Sequence, residues 1–498
     1  MHDSESPTAN ESSFQNARQI DFSTVEAPLP KEEEKRELDL SKDLAAKVKE
    51  LGGRALIVGG YARDEAMRRD GLEVESKDID IEVYNLSLDQ LQRLLVENFS
   101  GFGKLDLVGK SFGVIKLGQI DISLPRRDSK VSPGHKGFDI ETNPGLSIEE
   151  AAKRRDLTIN SLALDPLTNE ILDPFGGIAD LRAGVLRATD SETFGEDPLR
   201  ALRLAQFAAR FGFKVEAKTA EIARSLPLNE LPKERVSEEW RKLLLKSPKP
   251  SVGIEVAREL GIIEKLHPQL AALIGVEQEP DYHPEGDVWI HSLMSVDTAS
   301  EIVDREALTG DDALTIKLAA LLHDLGKPTT TETRAVRGEM RLTSYGHDEA
   351  GIEPTKAFLS TLAYGSGVND RVVALVRAHM YLAHNPDPSE NAVRRLSTKI
   401  RPATIQELAL VIEADRRGRS GIPTDLDKVT NLVKIAQETG VRVGAQKPII
   451  GGKDLIALGM EPGKHFGQII RSVQEAYLDG TVKNKEEALE LAKTMGKG

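Results

Sequence analysis

Residues 54–84, RALIVGGYARDEAMRRDGLEVESKDIDIEVY, hold two adjacent patterns that decide the fold of the N-terminal half of the chain. The apolar run 55–58 predicts a short buried strand, Gly59 and Gly60 predict a tight turn, and the residues after them predict the start of a helix. Backbone N–H groups at such a turn bind anions, and Arg63 in the first helical turn adds a charge-assisted hydrogen bond. The pattern predicts a phosphate-binding turn; an ordinary strand-to-helix turn is the alternative.

The second pattern is the alternating run that contains Asp78 and Asp80. Because a strand has a period of two, these carboxylates share one face, while Ile79 and Ile81 pack behind them. Paired carboxylates suit Mg²⁺, which takes one or two protein carboxylates together with substrate phosphates. A solvated strand face is the alternative, but the closeness of the two patterns favours nucleotidyl transfer.

Composition excludes several classes of protein. A chain of 498 residues is too long for one core and predicts three or more domains. No apolar run approaches the length of a membrane span, and the N-terminus lacks a secretory pattern, so we expect no membrane partner. The absence of cysteine excludes disulfides and thiolate metal sites and favours a cytoplasmic location.

The net charge of −14 argues against broad, non-specific binding to nucleic acid, because neutralising phosphates requires clustered Lys and Arg. We expect no DNA partner, whereas a specific RNA partner is compatible with local basic clusters. These clusters are Arg126-Arg127, Lys153-Arg154-Arg155, Arg394-Arg395 and Arg416-Arg417. Aromatic residues make up only 4% of the chain, so stacking along an extended single strand is a minor mode.

Polar and acidic composition without an apolar period predicts a disordered tail over residues 1–38. The apolar spacing that follows predicts a helix over residues 39–51, and a further helix is predicted over residues 86–99. Residues 125–148 carry Pro, Gly and charges without a period and are expected to form a long mobile loop.

Three successive strands are predicted between this helix and this loop, over 105–108, 113–117 and 119–124. Asp121 lies in the last of them. If that strand lies beside the first two carboxylates, Asp121 completes a triad of metal ligands; a solvated strand residue is the alternative.

Charged residues also mark a predicted helix-to-strand junction and a later helix. Arg154, Arg155 and Asp156 suit a triphosphate and a ribose hydroxyl, with an exposed charged turn as the alternative. In the helix that follows Phe194, three residues spaced by three lie along one face: Asp197, Arg200 and Arg203. They form either ordinary ion pairs or a set of groups that read the edge of a base by hydrogen bonding.

The ordered set of these motifs resembles the class II tRNA nucleotidyltransferases, bacterial enzymes that add CCA to tRNA, together with their poly(A) polymerase relatives. The resemblance covers about residues 45–270 and rests on VGGYARD, KDIDIEV, IDISLPRR, RRDLTINSLA, ILDPFGGIADLRAGVLR, EDPLRALRLAQFAARFGF and ERVSEEWRKLL. It implies an α+β fold with a DNA polymerase β-like head of sheet and helices over 39–190. An all-α neck and body over 191–275 would select bases and bind tRNA.

The resemblance also implies roles for individual residues. It assigns triphosphate binding to the Gly59–Gly60 turn and Arg63, and Mg²⁺ binding to Asp78 and Asp80. Arg155 and Asp156 fall in the ribose and phosphate motif, and Asp197 and Arg200, with Arg203 beside them, fall where the family pairs with the base of CTP or ATP. The chain has Gln206 where many members have a further Arg, which leaves phosphate contact or tRNA handling at that position open.

A second set of residues occurs within helical apolar patterns between residues 283 and 420: His291, His323, Asp324, His347, His379 and Asp415. A lone helical His is usually a packed residue, but an adjacent His-Asp pair with further His and Asp residues predicts helices gathered around a metal. The pattern resembles the HD phosphohydrolase superfamily. That implies a divalent metal on His291, His323, Asp324 and Asp415, with His347 and His379 completing a second metal position.

In related CCA-adding enzymes such a domain acts as a metal-dependent phosphatase or 2′,3′-cyclic phosphodiesterase, and we expect that activity here. The helical residues 421–498 resemble the tail that supports tRNA. The predicted function is thus CCA addition to tRNA from CTP and ATP. A CC-adding, A-adding or poly(A) enzyme shares every motif. A non-catalytic RNA-binding scaffold is a third hypothesis, but paired carboxylates without metal would repel RNA phosphate.

Overall fold

The computed structural model describes residues 32–74, 76, 78–102, 105–108, 114–130, 138–444 and 447–496. The chain divides into two compact units, Met1–Leu231 and Pro232–Gly498. Within the described ranges, every helix is too short or too polar to span a lipid bilayer.

The first unit combines a sheet with helices. Its strands are β1 Arg54–Val58, β2 Ile79–Tyr84, β3 Leu105–Val108, β4 Val114–Leu117, β5 Ile120–Ser123, β6 Arg126–Lys130, β7 Phe138–Thr142, β8 Ala163–Asp165, β9 Glu170–Leu172, β10 Val185–Leu186 and β11 Lys214–Val215. Its helices are α1 Glu32–Glu50, α2 Gly60–Arg69, α3 Leu88–Phe99, α4 Ile148–Ala152, α5 Gly177–Ala183, α6 Ser191–Phe194, α7 Leu199–Phe211 and α8 Ala217–Ser225, with a 3₁₀ turn at Thr158–Asn160.

The main sheet has the strand order β3-β4-β5-β2-β1-β8-β9. Its strands pair antiparallel except β2 and β5, which run parallel. The core side chains of β1 and β2 follow from the sequence pattern, since Leu56, Ile57, Ile79 and Ile81 are buried. The predicted helix over 86–99 is present as α3, which Ser87 starts with a capping box to Gln90.

Two boundary predictions differ from the structure. Helix α1 begins at Glu32, so residues 32–38 are helical rather than part of a disordered tail, while residues 1–31 lie outside the described ranges. The expected loop 125–148 contains the antiparallel pair β6 and β7, with residues 131–137 outside the described ranges. This pairing rests on backbone hydrogen bonds, which a search for apolar periodicity does not detect.

The second unit is helical apart from one β-hairpin. Its elements are α9 Lys233–Leu245, α10 Pro250–Glu259, α11 Ile262–Leu266, α12 Pro268–Ala271, α13 Val288–Arg305, α14 Gly310–Leu322, α15 Lys327–Thr330, β12 Glu332–Val336, β13 Glu339–Thr343, α16 His347–Ala350, α17 Ile352–Ser360, α18 Ser366–Ala378, α19 Tyr381–His384, α20 Glu390–Lys399, α21 Ile405–Arg417, α22 Asp427–Glu438, α23 Gly452–Ala457, α24 Lys464–Leu478 and α25 Lys485–Met495.

Helix α14 is the centre of this unit. Every residue from Ala313 to Leu322 is buried, because α13, α18 and α21 pack around it. A helix that is apolar on all sides can only be stable when it is enclosed in this way. The end of α14 therefore places His323 and Asp324 inside the protein.

Candidate active sites

The predicted phosphate turn and the predicted carboxylates lie together in the first unit. Asp80 of β2 pairs with Val58 of β1 on one side and with Asp121 of β5 on the other. Gly59, which follows Val58, has φ of 73°, and a Cβ built on it would lie 3.0 Å from Arg155 Nη1 and 4.0 Å from Asp80 Oδ2. Glycine at this position therefore keeps the backbone, an arginine and a carboxylate in close proximity.

The carboxylates form a concentration of negative charge. Asp78 is exposed and precedes β2, while Asp121 pairs with Lys116 at 3.0 Å. Desolvation raises the pKa of Asp80, the charge of Arg155 opposes this, and the charges of Asp121 and Asp78 raise it further. Among the described residues, the ligand oxygens of these three aspartates do not form a set within 4.8 Å. Several carboxylates gathered beside an anion-binding turn fit a bound divalent cation.

Glu82 is a site residue that the sequence interpretation missed. It is buried, accepts a hydrogen bond of 2.6 Å from Arg154 and lies 3.5 Å from Arg155. The Tyr84 hydroxyl also donates to it at 2.8 Å. Burial raises the pKa of Glu82, but the charges of Arg155 and Arg154 outweigh burial and lower it. Its position two residues after Asp80 puts Glu82 on the same strand face, and this spacing could have identified it from the sequence.

Arg63 is placed differently from the expectation that it faces a phosphate. Its side chain is buried, where it donates to Asp64 at 2.6 and 2.8 Å and to Asn160 at 2.7 Å. Its guanidinium also lies over the rings of Phe207 and Phe211 at 5.6 and 5.0 Å. The adjacent carboxylate and the two aromatic faces attract the positive charge of Arg63, so its side chain stays inside the unit against α7.

A partly buried ion pair connects the junction after α4 to α7. Arg203 Nε donates to Asp156 Oδ2 at 2.6 Å, and Asn160 donates to Asp156 Oδ1 at 2.9 Å. Burial raises the pKa of Asp156, but Arg203 and the hydrogen bonds outweigh it and lower the pKa to about 2. Arg200 donates to the carbonyl oxygens of Thr193 and Arg154, each at 2.6 Å. The structure therefore brings Asp156, Arg200 and Arg203 together.

Asp197 lies at the start of α7, where its Oδ1 accepts from the Leu199 backbone N–H at 3.1 Å. It is partly exposed, and its charge acts on Arg200. Gln206, one turn after Arg203, is buried within the unit. Because Gln206 is uncharged, this helix has one cation fewer than in members that have Arg at this position.

The second predicted set converges in the second unit. His291 Nε2 of α13 lies 3.2 Å from His323 Nε2 and 3.1 Å from Asp415 Oδ1 of α21. His323 Nε2 lies 3.2 Å from Asp324 Oδ2. On the other side of Asp324, Oδ1 lies 3.3 Å from His347 Nε2, which in turn lies 3.0 Å from the Nε2 atom of His379. Asp324 thus presents one oxygen to each pair of imidazoles.

The other ring nitrogens fix the orientation of these histidines. Nδ1 lies 2.8 Å from a backbone carbonyl oxygen in His323, 2.7 Å in His347 and 2.6 Å in His379. His291 Nδ1 lies 2.9 Å from Glu285 Oε1. A proton on Nδ1 leaves Nε2 as an acceptor, so all four Nε2 atoms are available to ligate. The described residues include three overlapping groups of side chains here that could hold a metal ion: His283-Glu285-His291, His291-His323-Asp324 and Asp324-His347-His379.

The pKa shifts of His347 and His379 agree with metal binding. Burial lowers the pKa of His379 to about 3 and also lowers the pKa of His347, which keeps both rings neutral at pH 7, the form that ligates metals. Burial lowers the pKa of His291, but Asp415 and Glu285 raise it overall. Burial raises the pKa of Asp324, yet its contacts with His323, Lys327 and His347 hold it well below its ordinary value.

Three partners of this cluster were missed from the sequence. Lys327 Nζ lies 2.7 Å from Asp324 Oδ2, and Arg419 Nη2 lies 3.0 Å from Asp415 Oδ1. Lys327 follows Asp324 by three residues and Arg419 follows Asp415 by four. Such helical spacings could have predicted both ion pairs from the sequence. Glu285 lies in an irregular segment before α13 and carried no such signal. The cluster opens into a cavity of about 400 Å³.

Fold and sites together define a nucleotidyltransferase head in one chain with an RNA-binding region and an HD domain. Residues 55–187 match the family model of the Poly A polymerase head domain, and residues 212–274 match the probable RNA and SrmB-binding site of polymerase A. Residues 288–417 match the HD domain.

Close relatives extend over most of the chain. The Multifunctional CCA protein of Xanthomonas campestris pv. campestris (strain B100) is 34% identical over 386 residues, covering 74% of this chain and 88% of the relative. That of Thioalkalivibrio sulfidiphilus (strain HL-EbGR7) is 32% identical over 436 residues, covering 84% and 96%. The crystal structure of the Bacillus stearothermophilus CCA-adding enzyme in complex with CTP has a similar fold, with a TM-score of 0.59, 20% identity and coverage of 92% and 98%.

The chain belongs to the family of multifunctional CCA proteins, which are CCA-adding tRNA nucleotidyltransferases. This confirms the predicted family, fold class and enzyme class, including the HD domain.

Proposed function

We propose that this chain adds CCA to the 3′ end of tRNA without a template, using CTP and ATP, at the site between β1, β2 and β5. The observation that carries the proposal is the register that sets Asp80 beside Asp121 and next to the Gly59 turn. Carboxylates for a cation and a turn for phosphates are the two elements that nucleotidyl transfer requires. The names of the relatives support the same substrates. A cytoplasmic location is part of this proposal, because tRNA and nucleoside triphosphates are found there.

Asp78 and Asp80, with Asp121, are proposed to hold Mg²⁺, which when bound lowers the pKa of the tRNA 3′-hydroxyl and stabilises negative charge on the phosphates. The 3′-oxygen bonds to the α-phosphorus, the bond to pyrophosphate breaks, and the hydroxyl proton passes to water. Arg155 beside Gly59 is proposed to bind the triphosphate, together with the backbone of Gly60 at the start of α2.

The remaining nucleotide-binding residues are proposed to orient the base and ribose. Asp197 and Arg200 pair with the edge of CTP or ATP, and Arg203 lies beside them on the same helix. Asp156 holds Arg203 through the partly buried ion pair, so this arginine is pre-oriented before the nucleotide arrives. Arg63 is proposed to act indirectly by positioning Asn160, which contacts both Arg63 and Asp156.

The test is the product formed from three tRNA substrates, ending at the discriminator base, at C and at CC. Each is incubated with CTP, with ATP and with both, and the products are sequenced. Completion to CCA on all three supports the proposal. Arrest after CC, addition of A alone, or a tract of A would identify instead the CC-adding, A-adding or poly(A) member of the same family, and no incorporation would indicate a scaffold.

For the HD domain we propose a divalent-metal-dependent phosphatase and 2′,3′-cyclic phosphodiesterase. The carrying observation is the convergence of four Nε2 atoms on the oxygens of Asp324 and Asp415. This donor set of imidazoles and carboxylates fits a divalent metal, which when bound activates water at neutral pH. Lys327 and Arg419, at the same carboxylates, are positioned to attract the substrate phosphate.

The test is hydrolysis of 2′,3′-cAMP by the full chain with added divalent metal. His323→Ala and Asp324→Ala are expected to abolish hydrolysis while leaving CCA addition intact. An unchanged rate of hydrolysis in both variants would refute the assignment.

A further inference from the structure

One row of charged residues crosses the main sheet of the first unit. Lys116 of β4 pairs directly with Asp121 of β5 across antiparallel strands, and Asp121 in turn pairs with Asp80 of β2 across parallel strands. Directly paired residues of neighbouring strands point to the same face of a sheet. The sheet therefore puts one lysine on the face that carries two of the carboxylates proposed to hold the cation for nucleotidyl transfer.

Lys116 reaches the nearer of these two carboxylates. Its Nζ lies 3.0 Å from Asp121 Oδ1, and the two side chains are 48% and 37% exposed. The Oδ1 atom itself is shielded from solvent and, among the residues that the structure describes, accepts no hydrogen bond. A shielded carboxylate oxygen without hydrogen bonds is stabilised by a positive charge close to it. In this structure the ammonium group of Lys116 supplies that charge.

The charges of the site nearly balance. Asp78, Asp80 and Asp121 contribute three negative charges, and two cations act on them. Lys116 contacts Asp121, and the charge of Arg155 acts on Asp80. The buried carboxylate two residues further along β2 has an arginine partner of its own. Three carboxylates against two cations leave one net negative charge, which is a modest attraction for a divalent cation.

Lys116 opposes the binding of such a cation in two ways. Its ammonium group lies against an oxygen of Asp121 that could otherwise ligate metal, and its charge repels a dication close to the carboxylates. Mg²⁺ is usually held by one or two protein carboxylates together with oxygens of substrate phosphates. The phosphates of a nucleoside triphosphate supply those oxygens, and their negative charge also attracts the ammonium group away from Asp121.

We infer that Lys116 couples cation binding to nucleotide binding at the transferase site. Its ammonium group competes with the divalent cation for Asp121, so the cation binds weakly until a nucleoside triphosphate is present. The flexible four-carbon stem of a half-exposed lysine allows the ammonium group to move without a change in β4. This inference rests on the proposed nucleotidyl transfer and assigns a function to a residue beside its carboxylates.

The first measurement is a calorimetric titration of the full chain with Mn²⁺ in the absence of nucleotide. Because the HD cluster also offers metal ligands, every chain in the titration carries His323→Ala and Asp324→Ala. Lys116→Gln should tighten the Kd for Mn²⁺ by about tenfold, the effect of removing one unit charge about 6 Å from a dication in a solvated site. Lys116→Arg keeps the charge and should leave this Kd within about twofold of the original.

The matched control is Lys42→Gln. Lys42 is also 48% exposed and pairs with Asp39 at 3.5 Å on α1, a helix that carries none of the proposed site residues. This variant should leave the Kd for Mn²⁺ unchanged. Asp80→Asn should weaken the titrated binding, which identifies it with the transferase site.

The second measurement is the binding of labelled CTP, without tRNA, in the presence of Mn²⁺ and in the presence of a chelator. Coupling between two ligands is reciprocal, so the gain in CTP affinity that Mn²⁺ produces reports the same coupling. Lys116→Gln should reduce this gain by about threefold or more, since its cation already binds tightly without nucleotide. A lysine that only stabilised the fold would not tighten metal binding.

Unchanged or weaker Mn²⁺ binding in Lys116→Gln, or an undiminished gain in CTP affinity, would overturn the inference and leave the proposed transferase activity standing. Mn²⁺ binding that does not respond to Asp80→Asn would instead remove the metal assignment on which both proposals rest. The two failures are therefore distinguishable.

Discussion

Asp80 and Asp121 are directly paired across the parallel strands β2 and β5. Paired residues of neighbouring strands point to the same face of a sheet, so both carboxylates reach one location. Replacing Asp80 with Asn removes one charge and keeps the shape. We expect CCA addition to fall by on the order of 10²–10³-fold, the range for losing one group that stabilises transition-state charge. The measurement is incorporation of labelled CTP and ATP into tRNA that lacks its 3′ end.

Asp43→Asn is the matched control for this variant, since Asp43 is an exposed aspartate on α1. It should leave incorporation unchanged. Substantial activity in Asp80→Asn would mean that the metal ligands have been misassigned, whereas equal losses in both variants would point to damaged folding.

Glu82 provides a prediction about stability. Its buried carboxylate compensates Arg154 and Arg155, and removing one partner of a buried ion pair typically costs about 3 kcal/mol or more. Glu82→Gln should therefore lower the unfolding free energy of the head by about 3 kcal/mol, as measured by hydrogen exchange of β1 and β2 amides. Glu97→Gln, at an exposed position of α3, should change it by no more than about 0.5 kcal/mol. Similar exchange rates for both variants would contradict this prediction.

The ion pair of Asp156 with Arg203 makes stability depend on pH. The pKa of Asp156 is about 2 in the folded chain, below its ordinary value of 3.8, so the carboxylate contributes about 2 kcal/mol at neutral pH. A depressed pKa gives stability that is present above pH ~4 and is lost as the pH falls towards ~2. The difference in urea midpoint between the native chain and Asp156→Asn should therefore be constant from pH 7 to about 5 and shrink below about 4. A difference that grows on acidification would contradict this account.

Much of the head could be predicted because the sequence patterns that indicate its elements each lie within a short segment of the chain. Period-two alternation places Asp80 on a strand face, and the glycine pair marks the turn before α2. Pairing between β2 and β5 was not determined by spacing, since Asp121 had an equally good interpretation as a solvated residue. Strand order depends on how the whole sheet packs, and a pattern within one strand does not encode its neighbours.

Arg63 illustrates why side-chain direction was less predictable. Its position in the first turn of α2 suggested a phosphate contact, but Asp64, Asn160 and two phenylalanine rings hold it inside the unit. Those partners come from distant parts of the chain. The members of the HD cluster, in contrast, were predictable as a set, because His291, His323, His379 and Asp415 lie within or at the end of helices with an apolar pattern.

Glu285 and His291 lead to the last prediction. Glu285 Oε1 lies 2.9 Å from Nδ1 of His291 and 2.9 Å from Nδ1 of His283, so one carboxylate orients a ring whose Nε2 faces the cluster. Partners of this kind raise the basicity of a metal ligand, and losing one typically weakens metal binding by about 10–100-fold. Glu285→Gln should therefore shift the divalent-metal titration of 2′,3′-cAMP hydrolysis, and the calorimetric Kd of the same metal, by about that factor. Glu438→Gln, an exposed carboxylate on α22, serves as the matched control and should shift neither. Chelation should stop hydrolysis in every variant, and readdition of metal should restore it. An unchanged metal Kd in Glu285→Gln would show that this carboxylate only packs against His291, because a group that orients a ligand must alter the affinity of the metal bound to it.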